Sequence, residues 1–166
     1  MRGNANRYGL KTMAGLVFCL TLILCWSLPV AGGGKKSDSE VKLSAKATKP
    51  DETGKQVITV TMNINKGWHA YANPVGNADL RSSQTVITVT GKEKVNLVKV
   101  AYPEGKVVND KVIGNYRTYE GQVSIPVTVQ RAKGDTGPLE VAVRFMVCQD
   151  KEGVCLLPAT VKLPVK

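Results

Sequence analysis

LEVAVRFMVCQDKEGVCLLPATVKLPV, residues 139–165, alternates apolar and polar side chains and contains two cysteines. The odd-numbered positions from 139 to 147 are apolar, whereas Arg144 and Cys148 belong to the alternate row. Successive side chains of a strand point to opposite faces, so this pattern predicts a half-buried β-strand with Cys148 directed away from the core.

A turn is predicted between the two cysteines, at residues 150–153. Asp and Gly are favoured at the first and last positions of a type I turn, and DKEG fits this pattern. The turn would place Cys148 opposite Cys155, with Cβ atoms about 4.5–5.5 Å apart, slightly wide for a disulfide. Continuing that register would turn Val161 outward, so we predict a bulge near Leu157 and Pro158.

The residues alone leave the role of this cysteine pair open. Closing so short a loop stabilises a fold by only about 2.5 kcal/mol in the chain-entropy estimate. A strained, accessible disulfide is more easily reduced, which favours thiol exchange. Asp150 and Glu152 offset Lys151, so a strongly acidified thiol is not predicted.

The same two-residue period recurs along the chain, without a comparable helical stripe. The predicted strands lie at residues 41–47, 58–64, 84–90, 95–101, 122–130, 139–148 and 154–165, separated by turns rich in Gly, Pro, Asn and Asp. Seven or more short antiparallel strands predict an all-β sandwich as one domain over residues 41–166. Pro126 cannot donate a ladder hydrogen bond, which predicts that its strand lies at an edge.

The first forty residues differ from this pattern. Three basic residues precede an apolar run and a small-residue segment, which predicts a signal peptide over residues 1–31 and export to the periplasm or outside the cell. The alternative is an uncleaved anchor, but the sixteen-residue run at 13–28 would span only about 24 Å of a core about 30 Å thick. Residues 32–40 are small and charged, which predicts a flexible linker.

Charge and composition argue against several classes of function. Cleavage would remove three basic residues and lower the net charge from +10 to +7. The lysines are scattered, which disfavours nucleic-acid binding, and the mature chain has no predicted membrane span. His69 is the only histidine, so a His-rich metal site and a Ser-His-Asp triad are both disfavoured. A soft copper site at Cys148, Cys155 and Met146 is the alternative to having no metal.

Three segments, taken in order, resemble the N-terminal periplasmic domain of the DsbD thiol:disulfide interchange proteins. The most specific is CQDKEGVCLLPATVKLPV, residues 148–165, where that family has two cysteines around a short acidic turn, then prolines before a final strand. GKVVNDKVIGNYRTYEGQVSIPVTV, residues 105–129, is similar to its cap loop. NKGWHAYANPV, residues 65–75, is similar to its active-site aromatic loop.

This resemblance implies an immunoglobulin-like sandwich that relays electrons through one cysteine pair without a cofactor, as a thiol-disulfide oxidoreductase. It implies that Cys155 forms mixed disulfides with partners, that Cys148 resolves them, and that Asp110 is the acidic residue beside the site. The surrounding residues are expected to be Trp68, His69, Tyr71, Val112, Leu157 and Pro158. The implied partners are thioredoxin-fold or other exported redox proteins, including a membrane electron donor.

The sequence also departs from that family. It has six residues between the cysteines rather than five, Leu157 in place of a proline, and Val112 in place of a shielding aromatic residue. It ends without the family's further domains, so a separate electron donor is expected. From its loop context, we expect His69 to lie at the surface or contact a partner rather than act in catalysis. The alternative function is an exported immunoglobulin-like binding module with a structural disulfide.

Overall fold

The computed structural model describes residues 34–165, which form a β-sandwich; the predicted signal peptide and the first residues of the linker lie outside this range. Eleven strands are present: β1 Val41–Ala47, β2 Lys55–Ile64, β3 Trp68–Tyr71, β4 Val86–Gly91, β5 Asn96–Val100, β6 Lys106–Asp110, β7 Gly114–Tyr119, β8 Gln122–Gln130, β9 Leu139–Phe145, β10 Val147–Gln149 and β11 Ala159–Val165. Short 3-10 turns lie at Ser37–Ser39 and Arg81–Ser83.

The strands form three antiparallel sheets. Their orders are β1-β2-β8-β5, β10-β3-β7-β6 and β11-β9-β4. This arrangement confirms the predicted all-β class, and the eleven strands agree with the expectation of seven or more. Within the described residues, no helix is long and apolar enough to span a bilayer.

The core is formed by the inward rows that the alternation predicted. β2, β8 and β9 each contribute three fully buried side chains to one apolar cluster: Ile58, Val60 and Met62; Ile125, Val127 and Val129; and Val141, Val143 and Phe145. The branched side chains that favour strand geometry therefore also fill the space between the sheets.

The strand that contains Pro126 is not an edge strand, so that prediction is wrong. β8 lies between β2 and β5, and Pro126 is paired with Thr59 of β2. The Pro126 carbonyl accepts the Ala101 N–H at 2.8 Å, and Ala101 directly follows the last residue of β5. The nitrogen and carbonyl of one residue in an antiparallel strand face the same neighbour, so the Pro126 nitrogen also faces the chain just after β5. The proline is tolerated because its nitrogen, which cannot donate a hydrogen bond, lies past the end of β5 and so interrupts no strand ladder.

The cysteine segment passes from one sheet to another. The predicted continuous strand 139–148 is divided at Met146, because β9 pairs with β4 and β11 whereas β10 pairs with β3. The second arm becomes a regular strand only at Ala159. Val161 is paired with Val143 rather than with Ala142, and this one-residue change of register between Cys155 and Ala159 matches the predicted irregularity.

The lead-in to the domain is docked rather than flexible from Lys36 onward, which differs from the prediction for residues 32–40. Lys36 forms a bridge with Leu157, and the Ser37 side chain is fully buried. Ser37 Oγ accepts the Val147 N–H at 3.0 Å and donates to the Leu157 carbonyl at 2.9 Å. The small, charged composition of this segment gave no sign that one hydroxyl would satisfy two backbone groups.

Candidate functional site

Three side chains form a row across neighbouring strands. Cys148 on β10 is paired with His69 on β3 and, on its other side, with Cys155. A disulfide joins the two cysteines. Directly opposed residues in antiparallel strands share a face, so His69, Cys148 and Cys155 lie side by side.

The turn between the cysteines covers residues 150–153. The Gln149 N–H donates to the Val154 carbonyl at 2.8 Å, and the Leu156 N–H donates to the Val147 carbonyl at 2.9 Å. Gly153 has a φ of +64°, a conformation that glycine adopts without steric cost. These backbone bonds fix the two sulfur-bearing residues opposite each other.

The two ends of the disulfide differ in exposure. Cys148 points away from the main core, as predicted, but it is only 3% exposed because a second apolar cluster covers it. This cluster is Tyr71, Val75 and Cys148, with Leu80, Tyr116 and Met146 around it. Cys155 is exposed and is flanked by Val154 and Leu157, which are 50% and 52% exposed. An incoming thiolate therefore has access to Cys155 and not to Cys148.

Two tyrosines surround the buried sulfur. The Tyr71 hydroxyl lies 3.4 Å from Cys148 Sγ, and the Tyr71 and Tyr116 ring centroids are 5.8 Å apart. Burial, followed by the neighbouring Tyr116, raises the pKa of Tyr71. Burial also raises the pKa of Tyr116, with smaller contributions from the negative charges of Asp110 and Asp150. Both phenols therefore remain protonated at neutral pH, and Tyr71 can donate its proton toward the sulfur.

His69 is mostly buried, which differs from a surface position; a contact with a partner, the other expectation for this residue, stays a prediction. It lies in β3 with a side chain only 13% exposed, and its ring meets the Tyr71 ring edge-on at 5.9 Å. His69 Nδ1 is 2.6 Å from Asp150 Oδ1. A carboxylate can only accept, so Nδ1 carries the proton in this contact.

Asp110 lies at the end of β6 and closes the tight β6–β7 turn. Its Oδ1 accepts the N–H groups of Val112 at 2.7 Å and Ile113 at 3.0 Å. These bonds, the one from Ile113 first, lower the pKa of Asp110. The carboxylate is therefore ionised and near Tyr116, but its described bonds are to the turn and not to either cysteine.

Val112 is 92% exposed at the tip of that turn. A side chain so open to solvent makes few contacts, so Val112 does not cover the disulfide in the way the resemblance suggests for an aromatic residue. Shielding of Cys148 comes instead from Tyr71.

The remaining predicted residues flank the hairpin. Trp68 is half-buried in β3 opposite Gln149 and packs on the main core, with Lys35 Nζ 5.9 Å from its ring centroid. Leu157 and Pro158 are exposed beyond Cys155, and Leu157 is held by backbone bonds to the lead-in.

Two site residues were missed in the sequence. Asp150 is two positions after Cys148, so strand alternation could have placed it on the same face. Tyr116 lies in β7, whose polar sequence GNYRTY gave no apolar alternation to reveal a strand. Among residues 34–165, no group of three or more His, Cys, Asp or Glu side chains is arranged to hold a metal ion.

Residues 33–166 match the family described as Thiol:disulfide interchange protein DsbD, N-terminal. The chain belongs to this family. Membership in the DsbD N-terminal family confirms the suspected resemblance and the immunoglobulin-like sandwich, and it makes the chain a thiol:disulfide interchange domain. The chain has no match among curated proteins.

Several solved structures resemble this chain at low sequence identity. The N-terminal periplasmic domain of ScsB from Proteus mirabilis is 19% identical, with a TM-score of 0.54 over 80% of this chain and 49% of that chain. The Neisseria meningitidis DsbD N-terminal domain in the reduced form is 16% identical, with a TM-score of 0.48 over 74% of this chain and 83% of that chain. A structure of the complex between the DsbD and PilB N-terminal domains from the same organism contains a chain that is 15% identical. Its TM-score is 0.48, over 74% of this chain and 80% of that chain.

Proposed function

We propose that this chain is an exported module that relays electrons through Cys148 and Cys155 to or from thioredoxin-like partners in the periplasm or outside the cell. The observation that carries the proposal is the asymmetry of the disulfide, with one exposed sulfur and one buried sulfur in a chain of the DsbD N-terminal family. Thiol exchange needs one sulfur that a partner can reach and a second that resolves the intermediate.

The chemistry follows from that asymmetry. A partner thiolate attacks Cys155 Sγ, the bond between Cys155 and Cys148 breaks, and Cys148 leaves with the electron pair. The product is a mixed disulfide between the partner and Cys155. In the reverse direction, Cys148 attacks Cys155 and releases the partner thiolate. No cofactor enters this exchange.

The docking surface is proposed to be the exposed apolar patch beside Cys155, formed by Val154 and Leu157. Val154 and Leu157 adjoin the exposed sulfur and are each about half exposed. An apolar patch next to a reactive atom is suited to contact the flat surface that surrounds a partner's own cysteine. Val112 and Ile113, on the neighbouring hairpin, are further exposed apolar side chains.

The reduction potential of the pair tests this proposal. The purified domain would be equilibrated with thiol redox buffers, and the fraction of disulfide would be measured by alkylation. We expect a potential well above about −300 mV, the region of exchangeable disulfides. A potential below about −300 mV would identify a structural staple and favour the alternative, an exported binding module.

A further inference from the structure

The His69–Asp150 pair adjoins the buried end of the disulfide and has one feature that its structural role leaves unexplained. Asp150 fixes Nδ1 of the ring, but the buried Nε2 atom has no hydrogen-bond partner among residues 34–165. A buried polar atom without a partner costs free energy, so such an atom in a folded domain calls for a role. With Nδ1 protonated, Nε2 is the nitrogen that is free to gain or lose a proton.

The exchange reaction creates a need for that proton beside His69. When Cys155 is attacked, Cys148 leaves as a thiolate at a position only 3% exposed. Water cannot solvate a charge there, and burial of an unpaired anion is costly. The Tyr71 hydroxyl is the donor in contact with this sulfur, and it can stabilise the charge but remains a weak acid.

Resting on the proposed exchange function, we propose that His69 is the proton donor and acceptor for the Cys148 sulfur, with Asp150 as its positioning residue. As the bond between the sulfurs breaks, the imidazolium of His69 gives the Nε2 proton to the Cys148 thiolate and becomes neutral. In the resolving direction, Nε2 takes the proton from the Cys148 thiol, which frees the thiolate to attack Cys155.

The strand register supports this transfer. His69 and Cys148 are direct partners in the β3–β10 ladder, and opposed Cβ atoms lie about 4.5–5.5 Å apart, within the reach of an imidazole ring. The edge-on contact with Tyr71, whose hydroxyl touches Cys148 Sγ, holds the ring on this face. An aspartate that orients a histidine beside a nucleophilic sulfur is a recurrent arrangement for proton transfer.

The charged and titratable groups that face His69 come from three directions. Asp150 and Cys148 face it from the cysteine hairpin, and Tyr71 lies on its own strand. Continuing the β3–β7 register brings Glu120 opposite His69, but Glu120 is paired with Lys106 at 2.9 Å. Asp150 is therefore the carboxylate in contact with the ring, and it fixes the orientation of the imidazole beside Cys148.

The test is the pH profile of disulfide reduction in the intact domain by dithiothreitol, with each rate corrected for the fraction of reagent present as thiolate. Histidine is the ordinary side chain that changes charge between about pH 5 and 8. We expect the corrected rate of the wild-type domain to fall at least about fivefold across that interval, as the general acid is lost.

Three variants separate proton transfer from structure. His69→Gln should give a flat corrected profile. Asp150→Asn should change the corrected profile, because it removes the carboxylate that accepts the Nδ1 proton and orients the ring. Glu152→Gln removes the same charge from an exposed position of the same turn and should retain the wild-type profile.

The proposal is overturned if His69→Gln keeps the wild-type fall, or if it slows reduction equally at every pH, as a purely structural role would do. If His69→Gln does not fold, the exposed Asp150→Asn variant decides, and an unchanged profile overturns the proposal. This experiment needs no protein partner. Its failure is therefore distinct from failure of the exchange function, which the reduction potential and partner trapping report.

Discussion

The two cysteines share one bond but have different surroundings. Cys155 lies on an exposed turn arm, whereas Cys148 is enclosed by Tyr71, Val75 and Tyr116. The Tyr71 hydroxyl, 3.4 Å from Cys148 Sγ, is the polar group that touches the enclosed sulfur. The site is therefore defined by the exposure of the Cys155 sulfur to solvent and by the contact of the Cys148 sulfur with the Tyr71 phenol.

Replacing Tyr71 with Phe removes that hydroxyl and leaves the ring. A hydrogen bond to a charged group is worth about 1.5–3 kcal/mol, so loss of the donor to the departing thiolate should slow reduction by dithiothreitol about tenfold or more. Stopped reactions followed by alkylation would measure the rate. Tyr116→Phe removes a hydroxyl from the adjoining ring and should change the rate much less; equal slowing in both variants would contradict a direct role for Tyr71.

The sequence supports part of this residue-level description. The opposition of Cys148 and Cys155 could be predicted because turn composition and a two-residue period are local properties. The burial of Cys148 could not, because it depends on Tyr71, a residue distant in sequence. The position of Asp110 was similarly out of reach, since its bonds to Val112 and Ile113 depend on a turn between two strands that the pattern did not reveal.

The cysteine hairpin joins two sheets and is held by the segment that precedes β1. β9 and β11 belong to one sheet and β10 to another, so the chain changes sheets on each side of the disulfide. Ser37 connects the two arms through its single hydroxyl, which bonds Val147 on one arm and Leu157 on the other. The lead-in is thus a structural element of the site.

Ser37→Ala should destabilise the domain by about 1–3 kcal/mol, because the buried Val147 N–H loses its acceptor. Urea unfolding followed by fluorescence would measure the change. Ser39→Ala is the matched control, since the Ser39 side chain is exposed and bonds only the nearby Lys36 carbonyl. Equal stability of the two variants would show that the lead-in does not support the hairpin.

Strands with strong alternation were predicted, and strands without it were not. β2, β8 and β9 carry continuous rows of branched apolar residues that face the core. β3, β6 and β7 lie in the sheet that carries the site, where polar and aromatic side chains replace that row. Tertiary contacts rather than local pattern determine these strands, so a single sequence gives little sign of them.

A charge network centred on the buried Arg131 lies at the end of β8. Arg131 is 5% exposed, and its guanidinium donates to Gln56 at 3.0 Å, to the Gly137 carbonyl and to Asp135 at 3.0 Å. The bond from Arg131, followed by that from the Gly137 N–H, lowers the pKa of Asp135. The network fixes the long connection between β8 and β9.

The lowered pKa of Asp135 makes part of the stability depend on pH. A carboxyl whose pKa is lower in the folded state stabilises the fold above its unfolded pKa of about 3.9, and this contribution is lost as the pH falls through the folded value. Asp135→Asn should therefore be less stable than wild type at pH 7, with the difference vanishing in strong acid. Urea unfolding at several pH values would measure it.

The exposed Asp38 provides a control for that experiment. Asp38→Asn should follow the wild-type stability at every pH. A stability difference for Asp135→Asn that stays constant down to strong acid would contradict an ionic role and point to altered packing.

The central claim for the whole molecule is that Cys155 exchanges disulfides with a partner and Cys148 resolves the product. Cys148→Ala leaves Cys155 without its resolving sulfur, so the chain expressed in its native compartment should accumulate covalent adducts. We expect adducts with thioredoxin-fold proteins that disappear when Cys155 is also replaced. If no adduct forms, and the wild-type disulfide stays oxidised in excess reductant, the pair is a structural staple and the exchange function is wrong.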